Sequence, residues 1–212
     1  MDLIARFYSE TIPLFAKGKL ADLGSGHAPL YLLYEKYVTD ITCIDWENDN
    51  SNSPYIDIIQ DLNQPLNITD QSFDTVLLSD VLEHIRKPEL LISEIHRILT
   101  NNGILLMNIP FLYWIHEKPF DYFRYTEFAL QSILEDNGFE IVRLEALGGS
   151  LEVLADLSSK VIARIPIIGK IYAIVAYKTV QWVVSSQLGY RISQRSAKTF
   201  PLAYAIIARK KT

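Results

Sequence analysis

The sequence predicts an α/β fold in which a mostly parallel sheet carries helices on both faces. Three observations lead there. Along residues 18–147, short apolar runs of strand length alternate with stretches of helical periodicity. The first run, residues 20–23, ends in the turn Gly24-Ser25-Gly26, where glycine lets the backbone bend sharply and approach a ligand. The second run, residues 41–44, ends in Asp45, about 20 residues beyond the glycines, the spacing at which a carboxylate meets a ribose. A chain of 212 residues with 49% hydrophobic content builds one domain with a substantial core, so residues 1–212 are expected to be a single unit.

Residues 1–17 read as an amphipathic helix that packs on the sheet or covers a ligand. They lack the basic start and unbroken apolar stretch of a signal peptide, which makes the cytoplasm the expected compartment. After the glycine turn, Pro29 stands where Gly-x-Gly-x-x-Gly would place its third glycine. The turn therefore suits a nucleoside better than a dinucleotide pyrophosphate. A helix is expected over residues 30–38 and a strand over 41–44, with Cys43, the single cysteine, as a small buried residue. One cysteine supports neither a disulfide nor a cysteine-based metal site.

A third apolar run, residues 55–59, precedes Asp61-Leu62. The segment Ser72-Phe73-Asp74-Thr75-Val76-Leu77-Leu78-Ser79-Asp80-Val81-Leu82-Glu83-His84-Ile85 supplies a fourth strand and its following turn. Pro88 opens a helix whose Leu90, Leu91, Ile95, Ile98 and Leu99 share a face until Asn101-Asn102-Gly103 stops it. Residues 104–109 form the next strand, ended by Pro110. Thr126 caps a helix over residues 127–137, Gly138 stops it, and strands follow at 139–144 and 201–208. Residues 150–200 exceed what the alternating pattern needs and form a helical, apolar and basic insertion.

The run Leu20-Ala21-Asp22-Leu23-Gly24-Ser25-Gly26, Asp45 one strand later and the segment from Ser72 to Ile85, in that order, resemble the small-molecule branch of the class I S-adenosylmethionine-dependent methyltransferases. The resemblance implies a Rossmann-like sheet of seven strands, the last antiparallel between the fifth and sixth, with the insertion before it. It implies S-adenosylmethionine as cofactor, held by Asp22, Gly24, Ser25, Gly26, Asp45, Trp46, Asp61, Leu62 and Ser79. In such proteins the residue at Asp61 contacts the adenine amino group and its apolar neighbour, here Leu62, lies against the ring. Asp61 also reads as a turn former before Asn63 and Pro65.

Methyl transfer from a sulfonium is an in-line displacement, so a protein must align donor and acceptor and, for a hydroxyl acceptor, remove a proton. No metal is needed for this, and none is expected. Glu83-His84 follows the fourth strand and His116-Glu117 the fifth, which sets both pairs over one crevice. His116 is the expected base and His84 the second catalytic candidate, its other reading being a ring that ties down a loop. The aromatic loop of residues 110–126 resembles that of bacterial methyltransferases associated with cell-surface glycan or lipid-linked sugar synthesis. Glu117, Asp121, Arg124 and Tyr125 on it are expected to meet the substrate, although Arg124 also stands in register to pair with Asp121. The reaction expected is O-methylation of a small or lipid-linked, glycan-related hydroxyl compound. A regulatory or assembly protein that only binds S-adenosylmethionine is the rival reading.

The net charge of -5 conceals an asymmetry: residues 1–156 hold all 25 acids, and residues 157–212 hold ten of the 20 Lys and Arg. Basic and aromatic residues do not interleave as in base-stacking proteins, and no nucleic-acid partner is expected. Residues 165–184 are apolar apart from Lys170, Lys178, Thr179 and Gln181, and two lysines within the run count against a membrane span. Residues 157–200 then read as a lid, as a homodimer contact or as a peripheral contact at the inner face of the membrane.

Overall fold

The computed structural model describes residues 3–46 and 53–212. Helix α1 (Leu3–Phe15) buries Phe7, Tyr8 and Ile12 on one face of the sheet. Strands β1 (Lys19–Leu23), β2 (Asp40–Asp45), β3 (Ile58–Ile59), β4 (Phe73–Ser79), β5 (Leu99–Pro110), β6 (Phe139–Leu147) and β7 (Ala203–Lys210) form one seven-stranded sheet in the order β3-β2-β1-β4-β5-β7-β6. The first five strands pair in parallel, and β7 runs antiparallel between β5 and β6, as the resemblance implied. This order places the carboxyl ends of β1, β2, β4 and β5 along one edge, where a parallel sheet binds its ligands.

Both faces are covered. One packs α1 and the short α2 (Tyr31–Tyr34) over Leu20, Leu77, Leu106 and Ile207. The other packs α3 (Pro88–Ile98) and α4 (Glu127–Asp136) over Val76, Leu78, Leu105 and Met107. The stripe Leu91, Ile95 and Ile98 is fully buried, at the helical spacing read from the sequence. Thr126 caps α4 by accepting a hydrogen bond from the Ala129 amide. The insertion is helical throughout: α5 (Ser150–Ile162), α6 (Ile168–Ser185) and α7 (Gln187–Ala197).

Four local expectations change. The helix expected over residues 30–38 is the single turn α2, since Leu30 offers no side-chain cap and the chain turns back for the Thr39 amide to bond the Gly18 carbonyl. Helix α3 ends at Ile98, because Leu99 takes extended backbone and pairs with Phe73. The Asn101-Asn102-Gly103 stop is therefore an irregularity inside β5, with Asn102 at φ 60°. The third apolar run reduces to two paired residues, since the Asp57 carboxylate and amide take up Cys43 of β2 ahead of it. The last strand begins at Ala203, two residues later than expected, and extends to Lys210.

Candidate active site

The loop after β1 is built by two glycines with different reasons for lacking a side chain. Gly24 has φ 72°, donates its amide to the Ile44 carbonyl at 2.7 Å, and would set a Cβ 2.4 Å from Val81 Cγ2. Gly26 has φ 55°, and a Cβ there would point into open space. Its amide donates to Asp45 Oδ2 at 2.6 Å, and the Trp46 amide donates to Asp45 Oδ1 at 2.7 Å. One bond per carboxylate oxygen leaves each a further lone pair. Asp45 thus ties the loop to β2 and still has acceptors for a pair of hydroxyls.

A cavity of about 180 Å³ lies here, lined by Gly24, Gly26, Asp45, Trp46, Asp61 and Leu62 among others. Trp46 meets Phe120 edge-on at 4.9 Å across its mouth. Asp61 Oδ1 accepts from both the amide and the side chain of Asn63, so it does form the turn, while the residue also lines the cavity. A bare glycine backbone, a carboxylate with spare acceptors and a buried Leu62 fit the ribose and adenine of S-adenosylmethionine.

Three residues expected to hold the cofactor lie behind this cavity instead. Ser25 is buried beside Cys43. The Ser79 hydroxyl donates to Asn108 Oδ1 at 2.8 Å. Asp22 is buried in β1, opposite Cys43 of β2, and accepts a hydrogen bond from the Tyr34 hydroxyl at 2.8 Å. Burial pushes its carboxyl up to about 7, opposed by the Tyr34 bond. The folded protein then holds a proton on Asp22 that the unfolded chain releases near its ordinary value of 3.8, and stability falls as pH rises from there towards 7. Asp22→Asn keeps an acceptor for Tyr34 without that charge. Its melting temperature relative to the native protein is expected to be higher at pH 8 than at pH 5, by an amount equivalent to a few kcal/mol (~1.4 kcal/mol per unit of pKa). Equal differences at the two pH values would show that Asp22 ionises in the fold as it does in water.

The second group stands at the ends of β4 and β5. Asp80 has φ 53°, and its Oδ1 accepts from Asn108 Nδ2 at 2.7 Å. Asn108 Oδ1 in turn accepts from Tyr8 at 2.7 Å, which ties α1 to this point. Glu83 sits in the 3-10 turn Leu82–His84 and is 0% exposed. Neither of its carboxylate oxygens finds a hydrogen-bond donor on another residue. Burial, reinforced by the charge of Asp80, holds this carboxyl well above its ordinary range.

His84 and His116 pack edge to face, with ring centres 4.7 Å apart. His84 Nδ1 lies 3.0 Å from the Phe120 carbonyl, which can only accept, so Nδ1 carries the proton. His116 Nδ1 lies 3.3 Å from the Trp114 carbonyl, which can only accept, and 3.2 Å from Asp121 Oδ2, closer than the 3.5 Å to Arg124 Nη2, which favours the same tautomer. The two Nε2 atoms come 3.7 and 3.8 Å from Glu83 Oε1.

Asp121 and Arg124 form the ion pair, at 2.5 and 2.7 Å, and line neither cavity. The guanidinium holds the Asp121 carboxyl down at about 2. Asp121 also accepts from the His116 amide at 2.9 Å, so the pair positions His116. Tyr125 is buried with its hydroxyl towards the Leu82 carbonyl, because it packs under the 3-10 turn. Of the four residues expected to meet substrate, Glu117 alone lines a cavity.

A second cavity of about 1050 Å³ opens between the sheet edge, α1 and the insertion. Its walls include Leu3 and Ile4 of α1 and Ala155, Ala173, Val180 and Val184 of the insertion, and His116 reaches into it. Asp80, His84 and Glu117 border both cavities, which therefore meet beside His84, with His116 on the larger one. Asp80 and Asn108 were not among the site residues read from the sequence. The signal for Asp80 was its place just past the carboxyl end of a central parallel strand.

Residues 21–107 match the family model described as a methyltransferase domain. No curated protein matches the sequence. Among solved structures, a SAM-dependent methyltransferase from Archaeoglobus fulgidus is 17% identical with a TM-score of 0.65, over 99% of this chain and 94% of that one. Phosphoethanolamine N-methyltransferase 2 of Haemonchus contortus, in complex with S-adenosyl-L-methionine, is 16% identical with a TM-score of 0.59, over 94% of this chain and 50% of that one. The (4+2)-cyclase SpnF is 20% identical with a TM-score of 0.63, over 99% of this chain and 80% of that one. At such identities the likeness speaks for the fold, and these names show that one fold carries different reactions.

Proposed function

We propose, for a chain that has the class I S-adenosylmethionine-dependent methyltransferase fold and takes S-adenosylmethionine as its cofactor, that the methyl group goes to a hydroxyl oxygen of a lipid-linked, glycan-related acceptor. The observation that carries this reading is the meeting of a small cavity that holds Asp45 and Asp61 with a large, mostly apolar one at Asp80, His84 and Glu117, with His116 on the larger side. S-adenosylmethionine supplies the activated methyl group when bound. Asp45, Gly26 and Leu62 would hold its nucleoside, and the acceptor would enter from the insertion side. His116, its Nδ1 bonded to the Trp114 carbonyl beside Asp121, presents an Nε2 lone pair to the hydroxyl proton. Histidines at the junction favour oxygen over an amine, which needs less help in losing a proton.

The apolar walls of the larger cavity suit an acceptor with a hydrocarbon part. The same insertion exposes Ile167, Ile171, Ile174, Val175 and Trp182 next to the exposed Arg164, Lys170 and Lys178. Lys160 does not add to this surface, since it pairs with Asp156 at 2.5 Å and lies 3.2 Å over the Tyr113 ring. Among the described residues no helix is long and apolar enough to cross a membrane, so the contact proposed is peripheral.

Each basic side chain near an anionic leaflet contributes about 1 kcal/mol, and three give measurable attachment. The protein is expected to sediment with anionic liposomes, less so at high salt, and to transfer labelled methyl from S-adenosylmethionine into a lipid extract. Replacing Arg164, Lys170 and Lys178 with Ser should release it. Indifference to anionic liposomes at low salt would remove the lipid-linked acceptor and leave a soluble hydroxyl compound, with the insertion as lid or dimer contact.

A further inference from the structure

We propose that Glu83, His84 and His116 hold one divalent transition-metal ion at the junction of the two cavities. One imidazole nitrogen from each histidine and a Glu83 oxygen all lie within 4.8 Å of one another. Each histidine donates a hydrogen bond from Nδ1 to a fixed carbonyl, His84 to Phe120 and His116 to Trp114, and so turns an Nε2 lone pair inward. Histidines that ligate metals are oriented by the same kind of hydrogen bond on the other ring nitrogen.

Glu83 is the second observation. A carboxylate sealed from water with no donor from another residue on either oxygen is strongly disfavoured unless a cation or a proton meets it. The charges around it add to the demand. Asp80 and Asp121 also act on Glu83, and the one cation that counters them, Arg124, already has its fork closed on Asp121.

Two imidazoles and one carboxylate suit Zn²⁺ and its neighbours in the first transition row. With bonds of about 2.0 to 2.2 Å, ligand atoms around a tetrahedral ion sit roughly 3.3 Å apart. The 3.7 Å separation of His84 and the 3.8 Å separation of His116 from Glu83 are somewhat wider, and His116, on the long loop between β5 and α4, is placed to close the second. Three protein ligands leave a fourth position, on the side where His84 borders both cavities.

The role of that position rests on the hydroxyl-methylation reading; binding of the ion does not. An acceptor hydroxyl bound there would lose its proton to the Asp80 carboxylate, which borders both cavities. Its oxygen would then take the methyl group while the carbon–sulfur bond breaks and the electron pair stays on sulfur. The histidines would act as ligands in this form and as proton acceptors without the ion.

Chelator-treated full-length protein should bind one equivalent of Zn²⁺ by calorimetry, and Co²⁺ should develop the visible absorption of a low-coordinate site. Glu83→Gln and His116→Ala should each weaken binding by roughly 100-fold or more, and Asp121→Asn by roughly 10- to 100-fold. Folding is checked by circular dichroism; His116 is a loop residue, so its variant keeps the test open should Glu83→Gln fail to fold. No saturable binding of either ion, or binding retained by the doubly substituted His84→Ala, His116→Ala protein, overturns the site in favour of a proton held by Glu83. S-adenosylmethionine binding and methyl transfer are followed on the same samples. Transfer that survives chelation in a protein that binds no ion refutes the metal site alone. Metal binding lost in the variants, in a protein that methylates nothing, upholds the site and refutes the hydroxyl reading.

Discussion

His116→Ala is expected to lower turnover by roughly 100- to 10,000-fold while leaving S-adenosylmethionine affinity within about twofold. The geometry explains the split. His116 borders the large cavity and not the small one, so its ring is no part of the nucleoside surface. Its Nδ1 is anchored and its Nε2 points to the junction, so alanine removes the group that would take the proton or hold an ion. His84→Ala should cost less. That ring also braces the loop through the Phe120 carbonyl, and part of its effect should appear as a raised KM. Single-turnover rates with saturating donor, beside calorimetry of donor binding, check both. A larger loss of kcat at His84 would move the base to the turn after β4.

Asp45→Ala is expected to weaken S-adenosylmethionine roughly 10- to 150-fold by calorimetry, since charge-assisted hydrogen bonds contribute about 1.5 to 3 kcal/mol. Two effects combine. The ribose acceptors disappear, and the Gly26 and Trp46 amides lose the carboxylate that fixes the loop. Asp45→Asn separates them, because an amide oxygen still accepts one of these bonds while the charge is gone. It should fall between the native protein and alanine. A folded Asp45→Ala protein with native affinity would move the nucleoside away from β2.

Much of this site was legible because it lies on regular elements. Glycines that turn after one strand, an acid that ends the next and a proline that ends the fifth follow from chain geometry alone. What escaped was register and burial. Asp22 and Asp45 look alike in sequence, as acids near strand ends. Asp22 pairs with Cys43, two residues short of Asp45, so it lies within the sheet under Tyr34 while Asp45 overhangs the edge. Glu83 was legible as an acid over the crevice, but its complete burial was not, since patterning gives no reason to bury a carboxylate in a short turn. Its meeting with His116 depends on how the loops after β4 and β5 fold over one another. Tyr125 escaped for the opposite reason: an aromatic in a candidate substrate loop turned out to be core.

The amide of Asn108 has only one orientation open to it. Two hydroxyls, from Tyr8 and Ser79, address its oxygen, and Asp80 accepts a hydrogen bond from its nitrogen. Without the Tyr8 hydroxyl, half of that vote is lost; if the amide turned over, an oxygen would face an oxygen and drive Asp80 from its place. The opening helix is thus more than a brace for the sheet. It sets the polarity of a side chain at the far end of β5, and through it the charge that an incoming acceptor meets.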